Sequence, residues 1–507
     1  MKTNLLSASA RIARALAIFA CLAELLFLYS PGAWAVPSYS RRYAMECSGC
    51  HTMWGALNGS GVQFRLSGYR AIGGKDIKPV SDDVEIGKGV SIPTTLPLSF
   101  ITGVGVDVRK EKREASDGTS QTSKGNSIAL EDASIFMTSP IGKHFSAFVE
   151  FPMYETKSWE FTPTGKFEAN DTARSRHIQF QSENPTFEVA KFFFNNVLGD
   201  SLPRDSFNVA AGITHLPLGY ASGKVRLSVN QYLIYERRAL DYISTNRVSD
   251  VIGDAASERL FRLGEPQVLA AIFGMLTFGK PVTDVAKRDT FWAEYHLGIT
   301  NGSNGKADNN TSKDIYGRWV MRYYNQSLGF SAIHSSDTYD DGLRTAGSIA
   351  ANPLGIMSGR QDANKMTRFG VDGTLSLVPA GIPVWLENQY MSSREDNPTG
   401  FGKAFKWKGG FHQLNWQPSR TTIAYARYDW VKGDRIDDTG VVLGGVRGIT
   451  NVKPEESDFI LGTQHLIDQN VKFIAEYRHH RFEDKAGTPA TAKLTDDGFT
   501  LRVMLGF

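Results

Sequence analysis

The residues best placed to do chemistry stand close together near the start of the chain. Cys47-Ser48-Gly49-Cys50-His51 sets two thiols three positions apart, with an imidazole directly behind them. That C-x-x-C-H spacing is the attachment pattern of a c-type haem. Two thiols on one tight turn can each add to a vinyl group of the same porphyrin, and the next imidazole then ligates the iron. Gly49 lets the loop turn at no steric cost. The expected cofactor is therefore one covalent haem (heme c), bound by Cys47 and Cys50, with His51 as metal ligand. Two other chemistries use the same residues. A C-x-x-C redox disulfide opens a helix after a strand in a βαβ unit, and the sequence shows no such unit. Half of a zinc site needs a second Cys pair or a close His pair, and neither follows.

The rest of the cysteine usage agrees. There are three cysteines in 507 residues. Cys21 falls in a stretch that reads as a secretory signal peptide, residues 1–35. Lys2, Arg11 and Arg14 form its basic start, Ala15 to Tyr29 is largely apolar though broken by Glu24, and Ala33-Trp34-Ala35 fits a small-x-small cleavage site. The exported chain would keep only the two motif cysteines. A net charge of +3 with 21% charged residues gives no basis for a nucleic-acid partner. A mean hydropathy of -0.26 speaks against a bundle of membrane helices but leaves a membrane β-barrel open.

A second axial ligand is not readable beside the motif. Met45 and Met53 flank it too closely to reach the opposite face of a haem. More distant histidines, His144, His177 and His296, are candidates if they face a lumen, although polar lining is the commoner role for each. Arg41 and Arg42 could pair with haem propionates, as guanidinium suits carboxylate forks, or form a solvated basic linker. Residues 36–74 are too few to build a core of their own and must lean on something larger. After a linker at 75–91, the candidate support runs from 92 to 507.

That support alternates with period two. Phe499, Leu501, Val503, Leu505 and Phe507 alternate with Thr500, Arg502, Met504 and Gly506. Phe291–Ile299, Phe145–Phe151 and Val471–Tyr477 repeat the design, one face apolar and the other charged. A soluble sandwich gives the same alternation. Strands of about ten residues, aromatic residues near strand ends, and short turns alternating with long loops favour a transmembrane barrel. The fold expected is all-β: an antiparallel barrel of about sixteen strands, with the small helical haem segment inside it. Long loops are expected at Glu114–Asn126, Lys157–Asp171, Asp337–Asp362 and Lys432–Ser457, and a tight corner at Gln417-Pro418-Ser419. Leu227–Gly264 fits strands poorly and reads as an inward loop or short helices.

This layout resembles the fused outer-membrane cytochrome–porin family of iron-oxidising and related bacteria. The local likeness rests on Arg41, Cys47, Cys50, His51, Leu57-Asn58, Gly61, Phe64 and Gly68-Tyr69. It implies a Gram-negative outer membrane and single-electron transfer between an extracellular donor or acceptor and soluble periplasmic cytochromes. The members that oxidise iron carry an Arg-Gln-Thr-Gly run before the motif, whereas Arg41-Arg42-Tyr43-Ala44 keeps only its first arginine. Iron is thus one candidate substrate among others. Two further functions fit the same residues: a solute porin with a haem-bearing plug, and a soluble periplasmic haem enzyme. No hydrolytic or transferase constellation is evident.

Overall fold

The computed structural model describes residues 38–70, 79–80, 82–87, 90–114, 118–154, 189–220, 226–237, 261–278, 291–305, 311–338, 363–396, 404–435, 442–443, 446–447, 453–485 and 493–506. The expected signal peptide, His177 and the Lys157–Asp171 loop lie outside them. Small elements come first: α1 (Ser38–Tyr43), a 3-10 turn at Cys47–Gly49, the β1 (His51–Met53) and β2 (Ala56–Leu57) pair, and α2 (Gly59–Leu66). A second hairpin, β3 (Val84–Gly87) with β4 (Val90–Ile92), precedes the main sheet.

Sixteen antiparallel strands then close on themselves. They begin with β5 (Leu98–Glu114), β6 (Ser120–Ile141), β7 (Phe145–Tyr154), β8 (Val189–Phe194), β9 (Asn208–Thr214), β10 (Gln267–Phe278), β11 (Phe291–Thr300) and β12 (Asp314–Tyr323). Next are β13 (Gln326–Thr338), β14 (Ala363–Ser376), β15 (Val384–Glu395), β16 (Phe405–Ser419) and β17 (Thr422–Gly433). A two-residue hairpin, β18 (Val442–Leu443) and β19 (Val446–Arg447), stands apart from the wall. The last staves are β20 (Pro454–Asp468), β21 (Val471–Asp484) and β22 (Lys493–Gly506). β22 pairs with β5 from Lys493↔Glu114 to Gly506↔Ile101, so no edge is left unpaired.

The faces follow the alternation. On β11, Phe291, Leu297 and Ile299 are exposed, while Glu294 and His296 are buried inside. Outward aromatics mark two levels, with Phe278, Phe291, Tyr323 and Trp416 near one rim and Tyr390, Tyr428 and Tyr477 toward the other. Apolar side chains cover the exterior between those levels, which is the surface a closed barrel presents to lipid. Two-residue links at Tyr324-Asn325, Arg420-Thr421 and Gln469-Asn470 all lie at the first of these rims. We call it the short-turn end.

Several boundaries differ from the sequence expectation. The Glu114–Asn126 loop is mostly strand, since Glu114↔Ser120 through Val108↔Asn126 are paired. Polar residues continue the ladder above the lipid, where both faces are wet and the alternation carries no hydrophobic signal. The same holds for Asp337 and Thr338 on β13, for Lys432 and Gly433 on β17, and for Pro454 to Ser457 on β20. The Gln417-Pro418-Ser419 corner belongs to β16; the register shifts between Trp416 and Ser419, and the turn follows at Arg420-Thr421. Proline is tolerated at such an irregularity because its missing N–H leaves no gap in the ladder.

From Leu227 onward the inward reading is correct over the described residues. α3 (Leu233–Glu236) sits inside the barrel, and Tyr232, Leu233, Ile234 and Tyr235 are fully buried. They pack with Leu216, Leu218, Phe261 and Leu263 against inward side chains such as Tyr316, Met391 and Phe411. Tyr232 stacks on Phe411 at 3.9 Å between ring centroids. Arg427 fastens the segment to the wall: its Nη1 and Nη2 donate to Asn230 O and Gln231 O at 3.0 Å each, and its guanidinium lies over the Tyr232 ring. A barrel of this strand number ordinarily leaves an aqueous channel. Here an apolar core takes up part of that space.

Candidate haem-attachment site

The motif is built locally by a few short contacts. Gly49 N donates to Glu46 O and Cys50 N to Cys47 O, which closes the Cys47–Gly49 turn. His51 then begins β1, whose hairpin with β2 returns the chain to Asn58. Asn58 does three jobs at once. Its backbone N–H donates to Cys50 O, its Nδ2 donates to Ser48 O and Gly49 O, and its Oδ1 caps α2 by accepting from Gly61 N. Gly61 permits the helix to lie directly on the motif: any Cβ there would run into Cys50 O and Leu57 Cδ2.

The barrel holds this assembly at its short-turn end. Lys472 Nζ donates to Trp54 O at 2.7 Å and lies 5.2 Å over the indole. Gln417 Nε2 donates to Thr52 O at 2.9 Å. Cys47 Sγ lies 3.7 Å from Gln469 O, in the β20–β21 link. Gly506 has no side chain, and a Cβ there would meet Trp54 Cζ2 at 2.6 Å. So the motif loop rests on β16, β21, β22 and the link before β21.

α2 reaches the opposite wall. Val62 and Leu66 pack with Phe193, Ala210, Phe273, Met275 and Trp292, on β8 to β11. Tyr69 stacks on Tyr39 and Phe148 and meets Phe193 edge-on, with centroids 5.1–5.5 Å apart. Arg70 donates to Gly142 O and to Phe145 O. Residues 38–70 thus cross the mouth of the barrel from wall to wall, which supplies the core that so short a segment lacks.

Cys47 and Cys50 are both free thiols, half-buried on one turn. Burial pushes the Cys50 thiol up to about 11, and the Cys47 thiol beside it adds to the shift. Burial and then the Lys472 ammonium hold His51 down at about 4, which keeps a neutral imidazole, the form that ligates a metal. His51 Nδ1 is buried without a hydrogen bond of good geometry among the described residues, although the ring lies beside the Ala56 backbone. Buried polar atoms are nearly always paired, and one left without a partner needs a reason. Two thiols outside any disulfide and a neutral imidazole fit a c-type haem.

The other sequence candidates fare differently. Arg42 is committed to Asp83 at 2.8 Å, and Arg41 donates to the carbonyl oxygens of Leu96 and Leu98. These guanidiniums fasten the segment to Asp83 and to the chain at the start of β5. His144 is exposed in the β6–β7 turn at the short-turn rim, its Nδ1 3.0 Å from Asn195 O. His296 does face inward. It pairs with Glu294 at 2.9 Å and stacks on Phe273, on a stave eight places round the ring from the Lys472 stave that borders His51. Lys472 and Gln417 were missed by sequence reasoning. Their inward or turn positions were readable, but their pairing with residues hundreds of positions away was not.

No family model and no curated protein sequence matches this chain. Solved structures similar to it include an anion-selective porin from Comamonas acidovorans, at 11% identity and TM-score 0.42, covering 81% of this chain and 100% of that one. The outer membrane channel DcaP of Acinetobacter baumannii matches at 7% identity and TM-score 0.45, covering 81% and 96%. In-vitro folded OmpT of Vibrio cholerae matches at 11% identity and TM-score 0.40, covering 84% and 100%.

Proposed function

We propose that the chain is an outer-membrane cytochrome of the fused cytochrome–porin kind. Cys47 and Cys50 carry one covalent c-type haem, and His51 ligates its iron. Single electrons then pass between an extracellular donor or acceptor, iron among the candidates, and soluble periplasmic cytochromes. One observation carries the reading: two free thiols and an imidazole whose buried Nδ1 makes no hydrogen bond of good geometry share one turn, docked at the short-turn mouth of a closed barrel. Outer-membrane barrels turn their short links to the periplasm, so that mouth is the side open to soluble partners.

Bound there, a c-type haem supplies one-electron exchange without making or breaking bonds. The chain's own residues set its surroundings. Asn58 fixes the motif loop through Ser48 O and Gly49 O, and Lys472 closes that loop against β21. Tyr232, Leu233 and Ile234 help keep water from the lumen above. A wide solute channel has less support, because that apolar segment narrows the bore.

The test is expression with c-type maturation machinery, followed by pyridine haemochrome spectra of the detergent-extracted outer-membrane fraction. One covalent haem per chain, lost in Cys50→Ser, is the expected result. A barrel that folds in that membrane without covalent haem overturns the reading and leaves a plugged porin.

A further inference from the structure

On the outside of the barrel, just above the upper aromatic level, the register sets cations directly against cations. Lys408 on β16 is the cross-strand partner of Lys432 on β17, and Lys406 is the partner of Arg394 on β15. All four are exposed and point outward, as does Lys365 on β14. Opposed residues hold their Cβ atoms about 5 Å apart, and like charges at that spacing repel. Lys406 and Lys408 lie two residues apart on one face, roughly 7 Å along the strand. The four groups therefore surround one small patch of surface.

The protein neutralises this patch incompletely. Arg394 pairs with Asp396 at 2.7 Å, and Lys432 reaches Glu455, its cross-strand partner on β20, at 3.9 Å. Lys406 and Lys408 form no ion pair among the described residues, and Asp434, whose N–H donates to Lys406 O, stands beside Lys406. With Lys365, five cations thus face three carboxylates. Lys110 and Lys124 form a smaller opposed pair, two cations with Asp497 across from Lys110 on β22.

Height decides what the missing anion is. The register step just below Lys408 is Tyr390–Gly410–Trp430, with the two rings 6.2 Å apart on the outward face. Aromatic belts sit at headgroup level. A cationic patch one step above them meets the phosphates of the leaflet on the long-loop side.

We propose that Lys406, Lys408 and Lys432, flanked by Arg394, bind the phosphate of an anionic lipid headgroup in that outer leaflet. The inference rests on the barrel spanning an outer membrane and is independent of the haem. A probe with the right chemistry is bisphosphorylated lipid A, added to the detergent-purified full chain and read by native mass spectrometry. Wild type is expected to retain it, and Lys406→Gln, Lys408→Gln and Lys432→Gln together should weaken retention at least tenfold. Lys110→Gln with Lys124→Gln is the comparison and should change retention less than twofold. Removing the phosphates from the lipid should abolish the difference between wild type and the triple variant.

Equal retention by the triple variant overturns the proposal, as does an equal loss in the Lys110/Lys124 comparison. Inorganic phosphate that displaces the lipid at matched concentration would make this a free-phosphate site and overturn the lipid assignment. Heat-modifiable gel mobility confirms that each variant is folded before it is scored. Covalent haem content is read on the same samples, so a failure of lipid retention is separable from a failure of the cytochrome reading.

Discussion

At the scale of single residues, the haem motif depends on neighbours that carry no chemistry themselves. Gly61 is the clearest, because a methyl group there would press into Cys50 O and Leu57 Cδ2. Gly61→Ala should push α2 off the motif loop, at the 1–3 kcal/mol typical of overpacking. Haem attachment per folded barrel, from haemochrome spectra, should fall several-fold. Gly59→Ala is the control, since a Cβ at Gly59 meets nothing within 4 Å. Attachment that is equal in the two variants would show that helix contact does not shape the motif. Asn58→Ala removes a helix cap, costing about 1 kcal/mol, and also frees Ser48 O and Gly49 O. It should therefore lower attachment more than the loss of a cap alone predicts. The candidate attachment motif was legible, because thiol chemistry dictates a short fixed spacing. Lys472 and Gln417 were not, because period-two alternation assigns a side chain to a face and says nothing of which loop lies against it.

At the scale of elements, the strands were legible wherever one face met lipid. β11 and β21 show the contrast of apolar and charged faces along most of their length. β6 lacks it from Ser120 to Asn126, where its polar half pairs with β5 outside the apolar belt. The inward segment was visible only as a failure of alternation; its docking rests on contacts such as Arg427 with Asn230 O, Gln231 O and Asp429. Arg427→Ala breaks those ties and leaves the Asp429 carboxylate buried without its cation, a change that costs about 3–5 kcal/mol. The cross-strand ladder is untouched, so the barrel should still fold. The segment around Tyr232 should loosen and the bore open to ions. Planar-bilayer recordings are expected to show little current for wild type and at least a several-fold rise for the variant. Unchanged conductance with unchanged heat-modifiable mobility would mean that the lumen is sealed elsewhere.

At the scale of the whole molecule, ring closure and the crossing of residues 38–70 combine to give the barrel a sense of direction. The motif loop rests on β16, β21 and β22, and α2 on β8 to β11, all near the short-turn end. The apolar core around Tyr232 and Phe411 lies inside the barrel. A soluble protein can approach the motif from the short-turn mouth, whereas the core stands in the way of one approaching through the bore. Electron exchange with a soluble c-type cytochrome should therefore be one-sided. In sealed vesicles with the long-loop face outward, external cytochrome should exchange with the barrel's haem at no more than a tenth of the rate seen after detergent opens them. The long-loop face is confirmed separately by its cleavage with external protease. Equal rates before and after opening would place the haem within reach of the long loops, and the short-turn docking of Trp54 on Lys472 could not then describe the loaded protein. A one-sided result would also limit the extracellular half of the reaction: electrons from outside would have to cross packed side chains in the lumen, not a water-filled pore. In that case the Arg427→Ala barrel, though leakier to ions, should gain no comparable advantage in electron transfer from outside.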